Sequence, residues 1–479
     1  MIFTLGAAAA LLPTLNNGHY IGIAITIAIM IGTGLYAGSQ VKSSADYSGG
    51  SRKAGPALVT GTIMGTLVGG ASTIGTAQLA FQFGWCAWWF TLGAGLGCAV
   101  LGWGMLKPLY TSNKETIPQF LVGTYGNSIG PLTSVSSAIG MFFSVMSQGI
   151  SAVALITSVF HISPLLAVFV GFALVLTYVL AGGLLGTGMS GVAKLILLYL
   201  TVIVTGVLAF AMFGGNSGVH QAFPAKYPWY SLVARGFSKD VAAGVSLLIG
   251  VISTQTYIQA VLSAKSLGAA RKGALYSAFL IPPIGVGGIY VGLFMKANIA
   301  LFPGLTSAQV LPTFVMTYLP GWVAGMIMAI LLIATIGTWA GLSLGIATMM
   351  TRDIYQRFIN PKADSKKTLL MQRVFIVAVG LLAVYFVSGN AGGLILGFSF
   401  LSMGLRGCTI VLPLMGALFF HKFVTPAGGM AAAVCGPLAN IYWALVYPKG
   451  MDPLYPGILA AFIAIVIVSL VTKKPEVSV

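Results

Sequence analysis

Long apolar segments separated by short polar loops run through almost the whole sequence. A helix that crosses a lipid bilayer needs about 20 mostly apolar residues, and this length predicts thirteen spans in the chain. The predicted spans cover residues 18–37, 56–82, 86–109, 127–159, 162–181, 187–214, 238–263, 274–298, 319–350, 368–389, 391–420, 424–447 and 453–472. The pattern therefore predicts an all-α polytopic membrane protein.

The second predicted span is interrupted by residues that form membrane helices poorly. Residues 65–75 read GTLVGGASTIG, with four glycines and three hydroxyl side chains in eleven positions. Each glycine costs about 1 kcal/mol relative to alanine in a helix, and backbone groups freed at membrane depth must find other partners. Transporters use such discontinuous helices to bind ions and substrates, so we predict a transport site at this break.

The composition supports a membrane location and explains the charge. Of the 479 residues, 57% are hydrophobic and 6% are charged, whereas soluble proteins carry roughly 25% charged residues. With the N-terminus outside, eighteen basic residues fall on the cytoplasmic side, five fall outside and Arg406 lies within a span. This asymmetry fits the positive-inside rule. It predicts an inner-membrane protein with a cytoplasmic C-terminus, surrounded by the lipid bilayer and without a nucleic-acid partner.

Spans two to eleven form two blocks of five. Residues 56–214 hold the first block and residues 238–420 the second, with an extracellular loop at 215–237 between them. Because each block has an odd number of spans, the second begins on the opposite side of the membrane, which permits an inverted repeat. Residues 1–55 add an N-terminal helix and loop, and residues 421–479 add two C-terminal helices and a short tail.

The ionisable residues restrict the chemistry. All 7 acidic residues and all 4 histidines fall in loops or near span ends, which disfavours a proton relay through buried side chains. The spans contain no acid pair, metal cluster or nucleophile–base pair, so we do not expect an enzyme. A bound cation would need neutral oxygens, which suit sodium. Ala334, Gly337 and Thr338 lie within one turn of the ninth span and can direct oxygens to one point.

Arg406 is the one charge in the middle of a predicted span. An intramembrane charge is costly and is usually functional. Its guanidinium could hold a substrate carboxylate through two parallel hydrogen bonds, which favours an amino acid, pantothenate or a monocarboxylate as the substrate. It could equally tie helix ends together within the bundle, and the sequence leaves both interpretations open.

Four stretches of the chain are similar, in order, to segments of one transporter family. They are YSGGSRKAG at 47–55, GGASTIGTAQLAFQFG at 69–84, TQTYIQAVLSAKSLGAARKGAL at 254–275 and GTWAGLSLGIATMMTRDIYQRF at 337–358. On these motifs the chain resembles the sodium:solute symporter family, which includes sodium-coupled proline, pantothenate, sialic acid and glucose transporters. The resemblance runs through nearly the whole chain.

The resemblance implies a LeuT-like fold, built from two five-helix inverted repeats, and one sodium site between the second and ninth spans. The ligands it implies are the carbonyl oxygens of Gly65, Val68 and Ala334 and the hydroxyl of Thr338. Gly337 stands where the family usually has a second hydroxyl residue. The predicted site therefore keeps a carbonyl at that position and lacks one side-chain ligand.

A second departure from the family lies in the sixth span. The family commonly shows a threonine–aspartate pair there, and this chain has Ser190 and Gly191 in the sequence GGLLGTGMSGVAK. The missing aspartate predicts at most one sodium ion per cycle. Lys194 follows close to the predicted cytoplasmic end, where we interpret it as a snorkelling anchor rather than a coupling residue.

In such a fold the substrate lies beside the broken helices, near the middle of the membrane. The candidate substrate contacts are Ser72, Thr73, Gln78, Ser147, Gln148, Thr254, Gln255, Tyr257 and Arg406. The resulting prediction is a sodium-coupled symporter that moves a small organic solute by alternating access and functions as a monomer. The alternatives are a proton-coupled or uncoupled carrier on the same fold and, less favoured, a membrane sensor.

Overall fold

The computed structural model describes residues 15–39, 52–112, 114, 116–224, 227–447 and 450–472. Within these ranges the chain forms helices and no β-strand, and a single isolated β-bridge joins Ala54 to Ala264. Residues 40–51, which include most of the predicted loop before the second span, and the predicted tail at 473–479 lie outside the described residues. The all-α architecture predicted from the sequence is confirmed.

Among the described residues, the N-terminal half of the chain forms nine α-helices. They are α1 (Asn17–Ser39), α2 (Pro56–Leu67), α3 (Thr76–Phe83), α4 (Trp89–Val100), α5 (Leu106–Thr111), α6 (Ile117–Tyr125), α7 (Ile129–Phe160), α8 (Pro164–Phe213) and α9 (Gly215–Ala222). Short irregular turns join several of them. A π-turn at Ala71–Gly75 precedes α3, a 3₁₀ turn at Gly84–Trp88 precedes α4, and a π-turn at Leu101–Met105 joins α4 to α5.

The described part of the C-terminal half forms ten further α-helices. They are α10 (Phe237–Ile252), α11 (Gln255–Leu262), α12 (Leu267–Leu280), α13 (Pro282–Ala297), α14 (Val310–Tyr318), α15 (Gly321–Met349), α16 (Ser365–Gly389), α17 (Ile395–Phe419), α18 (Pro426–Val446) and α19 (Leu454–Val471). Short 3₁₀ turns at Ile299–Leu301 and Ser307–Gln309 lie between α13 and α14. A π-helical segment, Met350–Ile359, continues α15.

The second predicted span is discontinuous, as its glycines indicate. Helix α2 ends at Leu67, and Val68 takes an extended conformation with φ −93° and ψ 102°. A second break, which the sequence analysis did not predict, separates α10 from α11, and the two helices are bent by 44°. The first span of each predicted five-helix block is therefore the broken one, which supports the predicted inverted repeat.

The number of spans agrees approximately with the prediction. Among the described residues, 9 helices are long and apolar enough to cross a membrane, or 10 if the bent α10–α11 pair is one span. Three shorter apolar helices, Asn17–Ile29, Pro56–Leu67 and Pro164–Thr177, coincide with parts of other predicted spans. The predicted total of thirteen is thus supported only roughly.

Helix α8 differs from the sequence prediction. Two spans were expected, at 162–181 and 187–214, whereas the structure has one helix of 50 residues. Such a helix is about 75 Å long, more than twice the ~30 Å thickness of the bilayer core. The physical reason is that no proline lies between residues 165 and 213. The five glycines within residues 182–191 each lower helix stability by about 1 kcal/mol but, unlike proline, keep the backbone N–H that a helix needs.

The distribution of side chains is that of a protein surrounded by lipid. Large apolar side chains cover the outside, including Trp103, Phe279 and Leu470, which are 80%, 78% and 81% exposed. Polar side chains such as Gln148 and Arg406 are buried. An exposed apolar surface of this size would promote aggregation in water. Together with the apolar helices, it identifies an integral membrane protein.

The broken helices lie in the centre of the bundle. Helix α8 packs against α2, α13 and α15, while α7 packs against α15 and α17, and α10 packs against α4 and α17. Helices α18 and α19 pack mainly on each other and on α17, and α1 packs on α15 and α8. The helices outside the two predicted blocks therefore pack mainly on α8, α15 and α17.

The break after α2 depends on close backbone packing at Gly70. A Cβ atom at this position would lie 2.3 Å from Cβ of Ser151 on α7 and 2.9 Å from the hydroxyl of Thr335 on α15. Both distances are too short for non-bonded atoms. Glycine is therefore required here for steric reasons, since it lets α7 and α15 approach the unwound backbone.

We predict that Gly70→Ala destabilises the protein by about 1–3 kcal/mol, because the added methyl group overpacks the contact with Ser151. Gly104→Ala is the matched control, since a Cβ atom there meets nothing within 4 Å. Thermal unfolding in detergent should show a lower Tm for Gly70→Ala only. Equal Tm values for the two variants would contradict the packing argument.

Candidate functional site

The end of α2 places carbonyl oxygens at the centre of the bundle without their usual helical partners. The amide of Gly69, which would normally bond to the carbonyl of Gly65, donates instead to Oγ of Ser72 at 3.0 Å. The hydroxyl of Thr338 on α15 lies 3.3 Å from the carbonyl oxygens of both Gly65 and Val68. Because the last carbonyls of a helix lack intrahelical donors, these oxygens are free to bind a cation or a donor.

Lys194 on α8 points into the same group of oxygens. Its Nζ atom donates to the carbonyl of Gly65 at 2.5 Å and to that of Ala334 at 3.3 Å, and it lies 3.5 Å from Oγ1 of Thr338. The residue is 3% exposed. The interpretation of Lys194 as a snorkelling anchor is therefore wrong, because its ammonium group is buried within the core.

Backbone contact between α8 and α2 fixes the position of Lys194. A Cβ atom at Gly191, one turn before the lysine, would lie 2.2 Å from the carbonyl oxygen of Gly61 and 3.4 Å from Cα of Gly65. Glycines thus bring the two helices into close contact. At this separation the lysine side chain reaches the end of α2 directly.

The structure brings together the four atoms of the predicted sodium ligand set. The Lys194 ammonium group contacts the carbonyl oxygens of Gly65 and Ala334. The hydroxyl of Thr338 contacts the carbonyl oxygens of Gly65 and Val68. Gly337 is buried in the same turn of α15 as Ala334 and Thr338. All of these ligands are neutral, and among the described residues the charged group in contact with them is that of the lysine. Their role as sodium ligands stays a prediction.

The start of the second half of the broken span carries predicted substrate contacts. The amide of Gly70 donates to Oε1 of Gln148 on α7 at 2.9 Å. Thr73 and Ser72 both donate through their hydroxyls to the carbonyl of Gly69, at 2.9 and 3.0 Å. Ser72, Thr73 and Gln148 therefore lie together at the break and directly adjoin the oxygen cluster.

Two more predicted contacts meet at Ile395, the first residue of α17. Oε1 of Gln78 accepts from the amide of Ile395 at 2.9 Å, and Oγ of Ser147 donates to the carbonyl of the same residue at 2.9 Å. Ser147 also lies 2.7 Å from the hydroxyl of Ser399. Gln78 and Ser147 thus connect α3 and α7 to the start of α17.

Arg406 forms a second polar cluster around the break between α10 and α11. Its NH1 group donates to Oγ1 of Thr254 at 2.7 Å, and its NH2 group donates to Oγ of Ser144 at 3.2 Å and of Ser402 at 3.0 Å. Its Nε donates to the carbonyl of Ser402 at 3.1 Å. The guanidinium is fully buried, and these hydrogen-bond partners are all neutral protein groups.

The remaining two candidates are both on α11. Tyr257 is 1% exposed within the core. Oε1 of Gln255 accepts from the amide of Ile117, the first residue of α6, at 3.0 Å. Gln255 therefore contacts a neighbouring helix end, apart from the residues at the break of α2.

Several polar residues that complete these clusters were not recognised from the sequence as site residues. Lys194 is the main one, and its position three residues after Gly191 in an apolar segment was an available signal. Three serine hydroxyls complete the contacts around Arg406 and near Ile395. Ser402 contacts Arg406 and Ser144, and Ser399 contacts Ser147. Serines are common in membrane helices that simply bond to their own backbone, so no pattern distinguished these three.

Comparisons with known proteins identify the family. The family model described as the sodium:solute symporter family matches residues 47–436. A sodium/proline symporter of Haemophilus influenzae is 23% identical over 478 residues and covers 93% of each chain. The osmoregulated proline transporter OpuE of Bacillus subtilis is 25% identical over 480 residues and covers 95% of each chain.

A solved structure shares the fold. A Na⁺-coupled sialic acid symporter in a substrate-bound outward-open state superposes with a TM-score of 0.78 at 18% identity, covering 96% of this chain and 99% of the other. The matching family is one of sodium:solute symporters, so the predicted transporter class and sodium as the coupling ion are confirmed at the level of the family. The family match spans most of the sequence and includes both broken helices. The chain therefore belongs to the sodium:solute symporter family.

Proposed function

We propose that this protein is a symporter that couples the inward movement of sodium to the uptake of a small solute bearing a carboxylate, with proline as the first substrate to test. The observation that carries the proposal is the group of neutral oxygens at the end of α2. The carbonyls of Gly65 and Val68 lie 3.3 Å from the hydroxyl of Thr338, on a helix 270 residues further along the chain. The family to which the chain belongs is one of sodium:solute symporters.

The site has the chemistry that a small monovalent cation requires. Sodium is a hard ion served by carbonyl and hydroxyl oxygens, and discontinuous helices supply these from unwound backbone. The ligands come from two different helices, α2 and α15. A cation bound between them therefore favours the arrangement in which both helices are close, and binding shifts the conformational equilibrium through this difference in affinity.

The substrate carboxylate is proposed to bind at the start of the second half of the broken span. Half-helix N-termini direct backbone N–H groups and a positive dipole end at anionic groups of substrates. Here the amide of Gly70 donates to the neutral side chain of Gln148 at 2.9 Å, a contact that a carboxylate can replace. The names of the relatives, which are proline transporters, favour an amino acid of this class.

Arg406 is proposed to be a structural clamp. Its contacts hold α17 against α7 and against the break after α10. To bind a substrate carboxylate it would have to release hydroxyl partners that are themselves buried, and leaving such groups unpaired costs about 1–3 kcal/mol each. The clamp role requires no such rearrangement.

Transport is proposed to occur by alternating access, with the N-terminus outside and the C-terminus in the cytoplasm, and with the monomer as the functional unit. The basic residues of the loops support this orientation. The residues at 56–214 and 238–420 are proposed to be the two inverted repeats. Moving one positive charge inward across 100 mV releases about 2.3 kcal/mol, and the sodium concentration gradient adds to it.

A carrier without sodium coupling is a second candidate, and one observation favours it. The ammonium group of Lys194 already occupies the oxygen cluster, 2.5 Å from the carbonyl of Gly65. A chain that supplies its own cation to the site has a physical reason to bind sodium poorly. Uptake into proteoliposomes separates the candidates. One experiment compares sodium with choline while the pH is clamped. A second imposes a pH gradient in the absence of sodium.

We predict that Thr338→Val raises the sodium concentration for half-maximal proline uptake about tenfold, because one oxygen ligand is lost while the side-chain shape is kept. Thr348→Val on the same helix is the control, since its hydroxyl donates only to the carbonyl of Leu344. The control should match the wild type. An unchanged sodium requirement in Thr338→Val would exclude the threonine as a ligand.

We predict that the carboxylate of the substrate is essential for recognition. Proline should compete with labelled substrate at least about 100-fold better than prolinamide, because the amide lacks the charge that strengthens hydrogen bonds to backbone N–H groups. Glucose, which has no carboxylate, serves as the negative control. Equal competition by proline and prolinamide would contradict the proposed carboxylate site.

We predict that Arg406→Gln lowers the free energy of unfolding by about 1–3 kcal/mol, since buried hydroxyls lose their donor, while the apparent affinity for substrate stays the same. Arg271→Gln, at an exposed position of α12, is the control for removal of an arginine. Thermal unfolding and uptake are measured on the same preparations. A normal Tm with a large loss of affinity would assign Arg406 to the substrate site.

A further inference from the structure

We propose that Lys194 is a tethered cation of the coupling site and that its ammonium group excludes sodium while it is in place. The inference rests on the proposed function, because it concerns the same oxygen atoms. It departs from the family-based expectation for this site, in which a free ion alone takes the carbonyls of the broken helix. Here the chain itself supplies a positive charge to them.

The geometry places the ammonium group where sodium is expected. Nζ of Lys194 contacts the carbonyls of Gly65 and Ala334 and lies within 3.5 Å of the Thr338 hydroxyl. These are three of the four atoms in the predicted ligand set. Because the ammonium nitrogen lies among these oxygens, it fills the space that the ion would take, so the ammonium group and a sodium ion cannot occupy the cluster together.

The lysine is held in this position by packing. The backbones of α8 and α2 approach so closely that a Cβ atom at Gly191 would overlap the carbonyl of Gly61. The residue is 3% exposed, and its ammonium group contacts three oxygens of the cluster. An ammonium group in an apolar bundle gives up its hydration only where such acceptors replace it.

The charges nearby make simultaneous binding unfavourable. Neither α2 nor α15 contains an ionisable side chain, and the acids among the described residues are Asp240, Asp353, Asp364 and Asp452. Asp353, which is on the continuation of α15, lies 15 residues beyond Thr338, or about 22 Å along a helix. No carboxylate on these two helices can offset two positive charges in a medium of low dielectric constant.

The consequence is competition between the side chain and the ion. Sodium can enter the cluster only after the lysine has moved away, so the measured sodium affinity of the wild type is reduced by the cost of displacing it. A neutral side chain at position 194 removes this competitor and leaves all four predicted oxygen ligands in place. The neutral variants should therefore bind sodium more tightly than the natural protein.

The test measures ²²Na⁺ binding to the purified full-length protein, with choline as the background cation. We expect Lys194→Met and Lys194→Gln to bind sodium about tenfold or more tightly than the wild type, since a competing charge is removed. Lys194→Arg keeps a cation and should bind as weakly as the wild type. Lys296→Met is the control for losing a lysine, because that ammonium group lies over the ring of Phe81 instead.

Sodium-specific thermal stabilisation provides a second measurement on the same proteins, because an ion that binds only the folded state raises Tm. Strong stabilisation of both neutral variants, with a weak effect on the wild type and on Lys194→Arg, supports the proposal. If neither neutral variant folds, the thermal stabilisation of the wild type by sodium tests the proposal. Stabilisation that saturates at low sodium concentration then overturns the proposal, and stabilisation that appears only at high sodium concentration supports it.

Two further outcomes distinguish this inference from the proposed function. If the wild type and the folded neutral variants bind sodium equally well, the exclusion by Lys194 is wrong while sodium coupling stands. If sodium affects none of the folded proteins, in either binding or uptake, the site is not a sodium site. That result overturns both the inference and the proposed coupling ion.

Discussion

The unwound backbone after α2 is the constraint on which the rest of the core depends. Where the helix ends at Leu67, carbonyl and amide groups lose their helical partners at a depth where lipid offers none. Neighbouring helices must therefore supply donors and acceptors. Thr338 and Lys194 reach the carbonyl side of the break, while Gln148 reaches the amide of Gly70 on the other side.

At the second break, too, a buried cationic side chain bonds to oxygen atoms, but the residue is different. Between α10 and α11 the chain bends by 44°, and the guanidinium of Arg406 donates to the hydroxyl of Thr254 at this point. One buried cation thus lies at each break. Both cations contact neutral oxygens, and no described ion pair involves either of them. Buried charges of this kind are stable only when hydrogen bonds replace their lost hydration.

This arrangement connects the fold to transport. The oxygens of the first cluster belong to α2 and α15, and the lysine that contacts them belongs to α8. An occupant of the cluster, whether a metal ion or the ammonium group, therefore acts on the relative positions of three helices at once. The exchange of one occupant for another is a local electrostatic event that can bias the whole bundle between two arrangements.

The sequence by itself determined the membrane class, the break in the second span and the family, because these depend on composition, glycine content and local motifs. It also selected Gly65, Val68, Ala334 and Thr338, which the structure brings together. Local patterns contain no information on which helix faces approach each other. Only the tertiary structure revealed the bend after α10 and the continuity of α8. It alone decided the place of Lys194, because the direction of that side chain is set by the packing of Gly191 on α2.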